Sequence, residues 1–169
     1  APSLPLKSGE HLTYRVPWAL VPGAGEIKID AATHSSGPKP RLVVTTTTTT
    51  RKLARLLLRF DAKAESIFDL ESGRLLRLHE TSAQGEKTAE HAVTFDYASR
   101  QASYTLPGTN EPARALVIPA GDPLDLIMGL LQTRSWTMKE GETRDALVLF
   151  DDDFYELTIH AARYEKLKK

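Results

Sequence analysis

The chain contains no cysteine, which excludes a disulfide, a thiolate nucleophile and any zinc site built on cysteine. It carries no excess of either charge: lysine and arginine number 22, aspartate and glutamate 22. A protein that grips a nucleic-acid backbone by displacing counterions needs a basic surplus or a basic stripe. The one dense basic stretch, Arg51, Lys52, Arg55 and Arg59, is short, so nucleic acid is not an expected partner. Long apolar runs are missing as well. The longest, Pro123 to Leu131, is interrupted by Asp125 and falls short of the ~20 residues that span a bilayer. Aromatic residues are few and spread out, with Trp18 and Trp136 placed as core or rim packing.

What is present describes one folded β domain. A chain of 169 residues with 41% hydrophobic and 26% charged residues has the length and composition to bury a single core. Residues 1–169 are expected to form one domain, with 1–8 as a flexible leader. That leader opens on Ala1, Pro2, Ser3, Leu4 and Pro5, a tether-like composition that suits the mature end left after a signal peptide is removed. An exported location is the expectation.

Period-two alternation dominates, the mark of half-buried strands. Leu12, Tyr14 and Val16 share one side, and Pro17 ends that strand or places it at an edge. Val21 to Gly25 reads as a turn cluster, followed by a strand with Ile27, Ile29 and Ala31 on one face. Ser35 to Pro40 is a loop by composition. Arg41 to Thr50 has the strongest β-propensity, ending in six consecutive threonines, and is expected as a strand with one solvated side. Strands are also expected over Phe60–Leu70, Arg74–Ala83, Glu86–Tyr97, Ala102–Leu106, Arg114–Ile118, Asp145–Phe150 and Phe154–Tyr164. Gly85 fits the positive-φ position of a two-residue turn. That turn sets Leu78 opposite Val93 and Glu80 opposite His91, so apolar meets apolar on one face.

Two segments switch to helical spacing. Over residues 52–58, Leu53, Leu56 and Leu57 form one apolar stripe opposite the basic residues, predicting a short helix that lids one end of the sheet. A basic, leucine-rich helix can also touch an anionic membrane surface, although about two turns is too short for that role alone. Over residues 123–133, Asp122 is expected as the N-cap, Pro123 as the first helical residue and Asp125 near the positive end of the dipole.

No catalytic constellation emerges. The five histidines, His11, His34, His79, His91 and His160, lack metal-ligand spacing. His79-Glu80 starts like a zinc-protease motif, but Ala83 stands where the second histidine belongs. Asp151, Asp152 and Asp153 read as solvated turn residues rather than a calcium loop. There is no Gly-x-Ser-x-Gly elbow, and Gly23 to Gly25 lacks the remaining glycine of a phosphate loop. Neither a catalytic residue, a metal nor a cofactor is expected.

The order of these segments resembles a family of exported bacterial proteins, domain of unknown function 3108 (DUF3108). Leu12 to Trp18 followed by Pro22 to Ile29 resembles its opening aromatic strand, turn and second strand. Phe68 to Arg77 is similar to its acidic turn, and Phe95 to Tyr97 with Ala102 to Leu106 to its next hairpin. Gly121 to Ile127, then Arg134 and Gly141, resembles its capped helix and following turn. Pro17 departs from the small polar residue more usual there. The resemblance implies a periplasmic or otherwise exported protein and implies no activity. At the level of fold it is similar to periplasmic lipoprotein carriers.

The expected architecture is mainly β: a curved antiparallel sheet, half-barrel in form, with the 123–133 helix packed on its concave side. The expected function is non-enzymatic binding of an apolar ligand, a lipid or lipoprotein acyl chain, in the cell envelope. Its expected lining is Leu124, Ile127, Met128 and Leu131 with Phe60, Phe68 and Phe95. The alternatives left open are a filled core, and a structural or assembly factor that meets another envelope protein through a sheet edge or loops.

Overall fold

A computed structural model describes residues 4–18, 21–35 and 37–163, with backbone alone for Trp18, Val21 and Pro22. The first three residues of the expected leader, the ring of Trp18 and the strand end at Tyr164 lie outside the described residues. In chain order the elements are β1 (His11–Trp18), β2 (Val21–His34), β3 (Arg41–Thr50), α1 (Lys52–Leu57), β4 (Phe60–Asp69), β5 (Leu75–Gln84) and β6 (Lys87–Asp96). They continue with β7 (Gln101–Thr105), β8 (Arg114–Val117), β9 (Leu124–Asp125), α2 (Leu126–Leu131), a 3-10 turn (Gln132–Ser135), β10 (Thr143–Phe150) and β11 (Asp153–His160).

The first eight strands form one antiparallel sheet in sequential order, mainly β as expected and not closed into a barrel. Local chemistry sets its registers. Gly85 takes φ 62 between the closing pair Gln84 and Lys87, which fixes Leu78 against Val93 and Glu80 against His91. Pro17 sits on edge strand β1 where the register to β2 shifts, the place where a residue without an N–H is tolerated. The Val21–Gly25 cluster, expected as a turn, belongs to β2 instead, with Gly23 absorbing φ 63 inside the strand.

A smaller sheet, β11-β10-β9, lies across the large one. Its Leu149 joins Leu124, Met128 and Leu131 in one buried cluster with Ile29, Leu42, Val44, Phe68, Leu78 and Val93 of the large sheet. Phe154 meets Phe95 edge-on at 6.5 Å. Between the sheets α2 presses directly on β10, since a Cβ on Gly129 would sit 2.3 Å from Val148 Cγ1.

Three expectations are corrected here. The helix placed at 123–133 begins later: Leu124 and Asp125 pair in parallel with Val148 and Leu149, and Asp125, not Asp122, is the N-cap, accepting from Met128 N at 2.8 Å. Asp122 instead contacts Arg74 Nε at 3.1 Å. The extended pairing consumes the residues that the Asp-Pro signal had assigned to a first helical turn. Residues 4–8 are not loose: Leu6 is 3% exposed in the core cluster, Thr33 N donates to Ser8 Oγ at 2.9 Å, and Arg134 bonds Glu10 Oε1 at 2.9 Å. The leucines of α1 do not cover the sheet end, because the helix buries Ala54 and turns Leu53, Leu56 and Leu57 outward.

Candidate functional site

Strand parity decides which side chains can meet. On β3, Leu42, Val44, Thr46 and Thr48 point to the inner face. Through the registers they align with Phe68, Ser66, Ala64 and Ala62 on β4. Ser66, Ala64 and Ala62 in turn face Leu78, Glu80 and Ser82 on β5, and these face Val93, His91 and Ala89 on β6. Strands β3 to β6 are each 10 residues long, about 33 Å at the usual rise. Helix α2 has 6 residues, roughly 9 Å. Toward one end of this face Leu42, Val44, Ser66, Phe68, Leu78 and Val93 are buried, while toward the other Thr48, Ala62, Ser82 and Ala89 line an open cavity.

The open half is a trough with a volume of about 440 Å³. Its floor is small: Thr46, Thr48, Ala62, Ala64, Ser82 and Ala89. Its walls are Phe60, Ile127, Leu149 and Phe150. Phe150 is 56% exposed at the rim. A wider depression of about 790 Å³ shares Ala62, Lys63, Thr81, Ser82 and Ala89 with the trough and adds Thr47, Thr49, Thr88 and Glu90, without the phenylalanine, isoleucine and leucine walls. The inner trough is the better candidate because apolar walls and a few convergent polar groups together define a ligand site.

Those polar groups stand where the trough meets the core. Glu80 Oε2 lies 2.9 Å from His91 Nε2. Nε2 has this ion-pair neighbour and no hydrogen-bond partner among the described residues. His91 stacks on Tyr104 at 5.4 Å, and the Tyr104 hydroxyl donates to Asp151 at 3.2 Å. Arg114 lies over the Tyr104 ring at 5.0 Å and bonds Asp152. The Glu80 carboxylate raises the His91 pKa above its ordinary value, against the opposing effect of burial. Burial, reinforced by the charge of Asp151, pushes the Tyr104 hydroxyl up to about 12. Asp125 is raised by burial, against the opposing hydrogen bonds from Ser66 and Met128 N. The His79-Glu80 pair cannot act together, since neighbours on a strand face opposite ways: His79 meets Glu90 at 2.7 Å instead. Among the described residues no His, Asp and Glu cluster is arranged to hold a metal ion.

The expected lining divides. Leu124, Met128, Leu131, Phe68 and Phe95 are in the filled core, at 5%, 0%, 7%, 0% and 8% exposure. Only Phe60 and Ile127 reach the trough. Hydrophobicity selected the core, while the trough's floor is made of side chains too small or too polar to stand out. Parity could have found them, because Glu80 and His91 are two residues from Leu78 and Val93 and share their face.

The family model described as "Protein of unknown function (DUF3108)" matches residues 12–169. No curated protein and no solved structure matches the chain.

Proposed function

The chain belongs to this family of unknown function, and from that premise we propose that it is an exported, non-enzymatic envelope protein that holds the apolar chain of a lipid or lipoprotein in the inner trough. One observation carries the reading: beside the filled core about 440 Å³ stays open between small floor residues and apolar walls. A volume of that size lies within the ~300–1,000 Å³ range of ligand pockets. Large apolar side chains would have closed it, as Phe68, Leu78 and Val93 close the core half. The polar groups at its inner end are engaged with one another, which suits a structural boundary better than a reacting centre. The exported location is carried over from the family resemblance.

The test uses gently extracted protein and a fluorescent acyl probe. Mass spectrometry is expected to find a lipid, and Ala64→Trp, which fills the floor, is expected to weaken probe binding at least tenfold (~1.4 kcal/mol) with little change in melting temperature. Unchanged binding in that variant removes the trough as the site. A co-purifying protein without lipid favours the assembly-factor reading.

A further inference from the structure

We propose that α1 and the turn after it dock on an anionic bilayer surface. This goes beyond the carrier reading and does not rest on it. Helix α1 connects β3 to β4, at the end of the trough lined by Thr48 and Phe60. An amphipathic helix on a globular protein normally turns its apolar stripe inward. Here the stripe is turned out: Leu53, Leu56 and Leu57 are 59%, 82% and 74% exposed, while Ala54 is buried at 1%.

The reason lies in the basic residues, which bind back to the sheet. Arg55 grips Asp61 with both Nη groups at 2.9 and 2.8 Å and reaches Thr50 O at 3.2 Å. Arg51 pairs with Glu26. With these cations facing the body, the leucines must face away. Lys52 and Arg59 are then left exposed and form no ion pair among the described residues. Arg59 adds its field to an Asp61 that Arg55 already holds. Leu53 and Leu57 are four apart and share one helix face, and Lys52 precedes them at the turn into the helix, with φ 52. The chain as a whole has zero formal net charge, so this surplus is local.

Apolar prongs with cations beside them match the boundary of an anionic membrane, where leucines enter the acyl region and lysine or arginine meets headgroups. A protein partner fits worse. A 6-residue helix, about 9 Å long, offers far less than the ~800 Å² per partner of a standard interface.

The experiment is sedimentation of the whole chain with vesicles of phosphatidylcholine alone or with about one third phosphatidylglycerol, at low and high salt. Expected is binding to the anionic vesicles only, weakened by salt. Leu56→Ser with Leu57→Ser is expected to lower it at least tenfold, and Lys52→Gln with Arg59→Gln by about fivefold per cation removed. Both variants alter exposed side chains, and their melting temperatures check that the fold persists. Ala64→Trp, which blocks the trough, is expected to sediment like the parent, separating docking from ligand binding. No vesicle binding, equal binding to neutral vesicles, or binding untouched by both variants overturns the proposal. So does a dimer by light scattering that the leucine variant dissociates, which assigns the stripe to a second copy.

Discussion

Gly129→Ala should destabilise the protein, against the usual preference of helices for alanine. In an open helix interior the change gains about 1 kcal/mol. Here the new Cβ would stand 2.3 Å from Val148 Cγ1, where carbon atoms ordinarily rest about 3.5–4.0 Å apart. Val148 is 0% exposed and, being β-branched, has little rotamer freedom with which to yield. Helix α2 or strand β10 must therefore move by roughly an ångström, and overpacking of that kind costs about 1–3 kcal/mol, occasionally more. A contact this short belongs at the upper end, leaving a net loss of about 1–2 kcal/mol after the helical gain. Urea unfolding followed by circular dichroism reads it directly, and the melting temperature should fall by roughly 2–8 °C. Adding Val148→Ala should make room, so the double variant should lose less than the two single losses combined, by about 1 kcal/mol or more. A Gly129→Ala protein more stable than its parent would refute the tight seating of α2 on β10.

Three further outcomes follow from buried groups. Because burial raises the Asp125 pKa above its ordinary 3.8, its contribution is intact below that pH and is lost as pH rises through the folded value. Asp125→Asn, which keeps an acceptor for Met128 N, should thus gain on the parent as pH rises above about 4, and a pH-independent difference in urea midpoints would contradict this. Glu80 raises His91 above its ordinary 6.5, so its stabilisation is full below that pH and declines as pH rises through the folded value. The ring's NMR titration midpoint should therefore lie above 6.5 in the parent and fall in Glu80→Gln, where burial is left to dominate; an unmoved midpoint rules out the pairing. Leu6→Ala should cost about 2–4 kcal/mol if residues 4–8 are packed, and a loss under about 0.5 kcal/mol would return them to the status of a surface leader.

The large sheet was legible because two local codes agree. Alternation assigned faces along Arg41–Thr50 and Arg74–Ala83, and one glycine in a two-residue turn locked β5 against β6. What stayed hidden depends on partners distant in sequence. Asp122-Pro123 carries the local signature of a helix start, but β10 claims Leu124 and Asp125 for a parallel pair, and a two-residue strand leaves no periodic trace. The spacing of Leu53, Leu56 and Leu57 gave an apolar stripe without saying which way it points; the Arg55–Asp61 pair makes that choice. For the site, ranking by hydrophobicity retrieved the residues that fill space, whereas a trough exists where side chains fail to fill it.

That difference gives the inner face a direction. Burying a carboxylate or an imidazole among apolar neighbours is costly unless each finds a partner. Here the partners come from several elements: Asp125 caps α2 and is bonded by Ser66 of β4, Glu80 meets His91 across β5 and β6, and Tyr104 of β7 reaches Asp151 in the β10–β11 turn. The Ser66–Asp125 and Tyr104–Asp151 contacts pin the cover to the sheet at the boundary between core and trough. Away from that boundary the floor is alanine, serine and threonine, with Tyr14 and Val16 on β1 still 43% and 40% exposed. On the proposed reading, an acyl chain enters from the α1 end, where Leu53, Leu56 and Leu57 stand beside Lys52 and Arg59, and stops against the polar cluster. The cluster then acts as the trough's end wall.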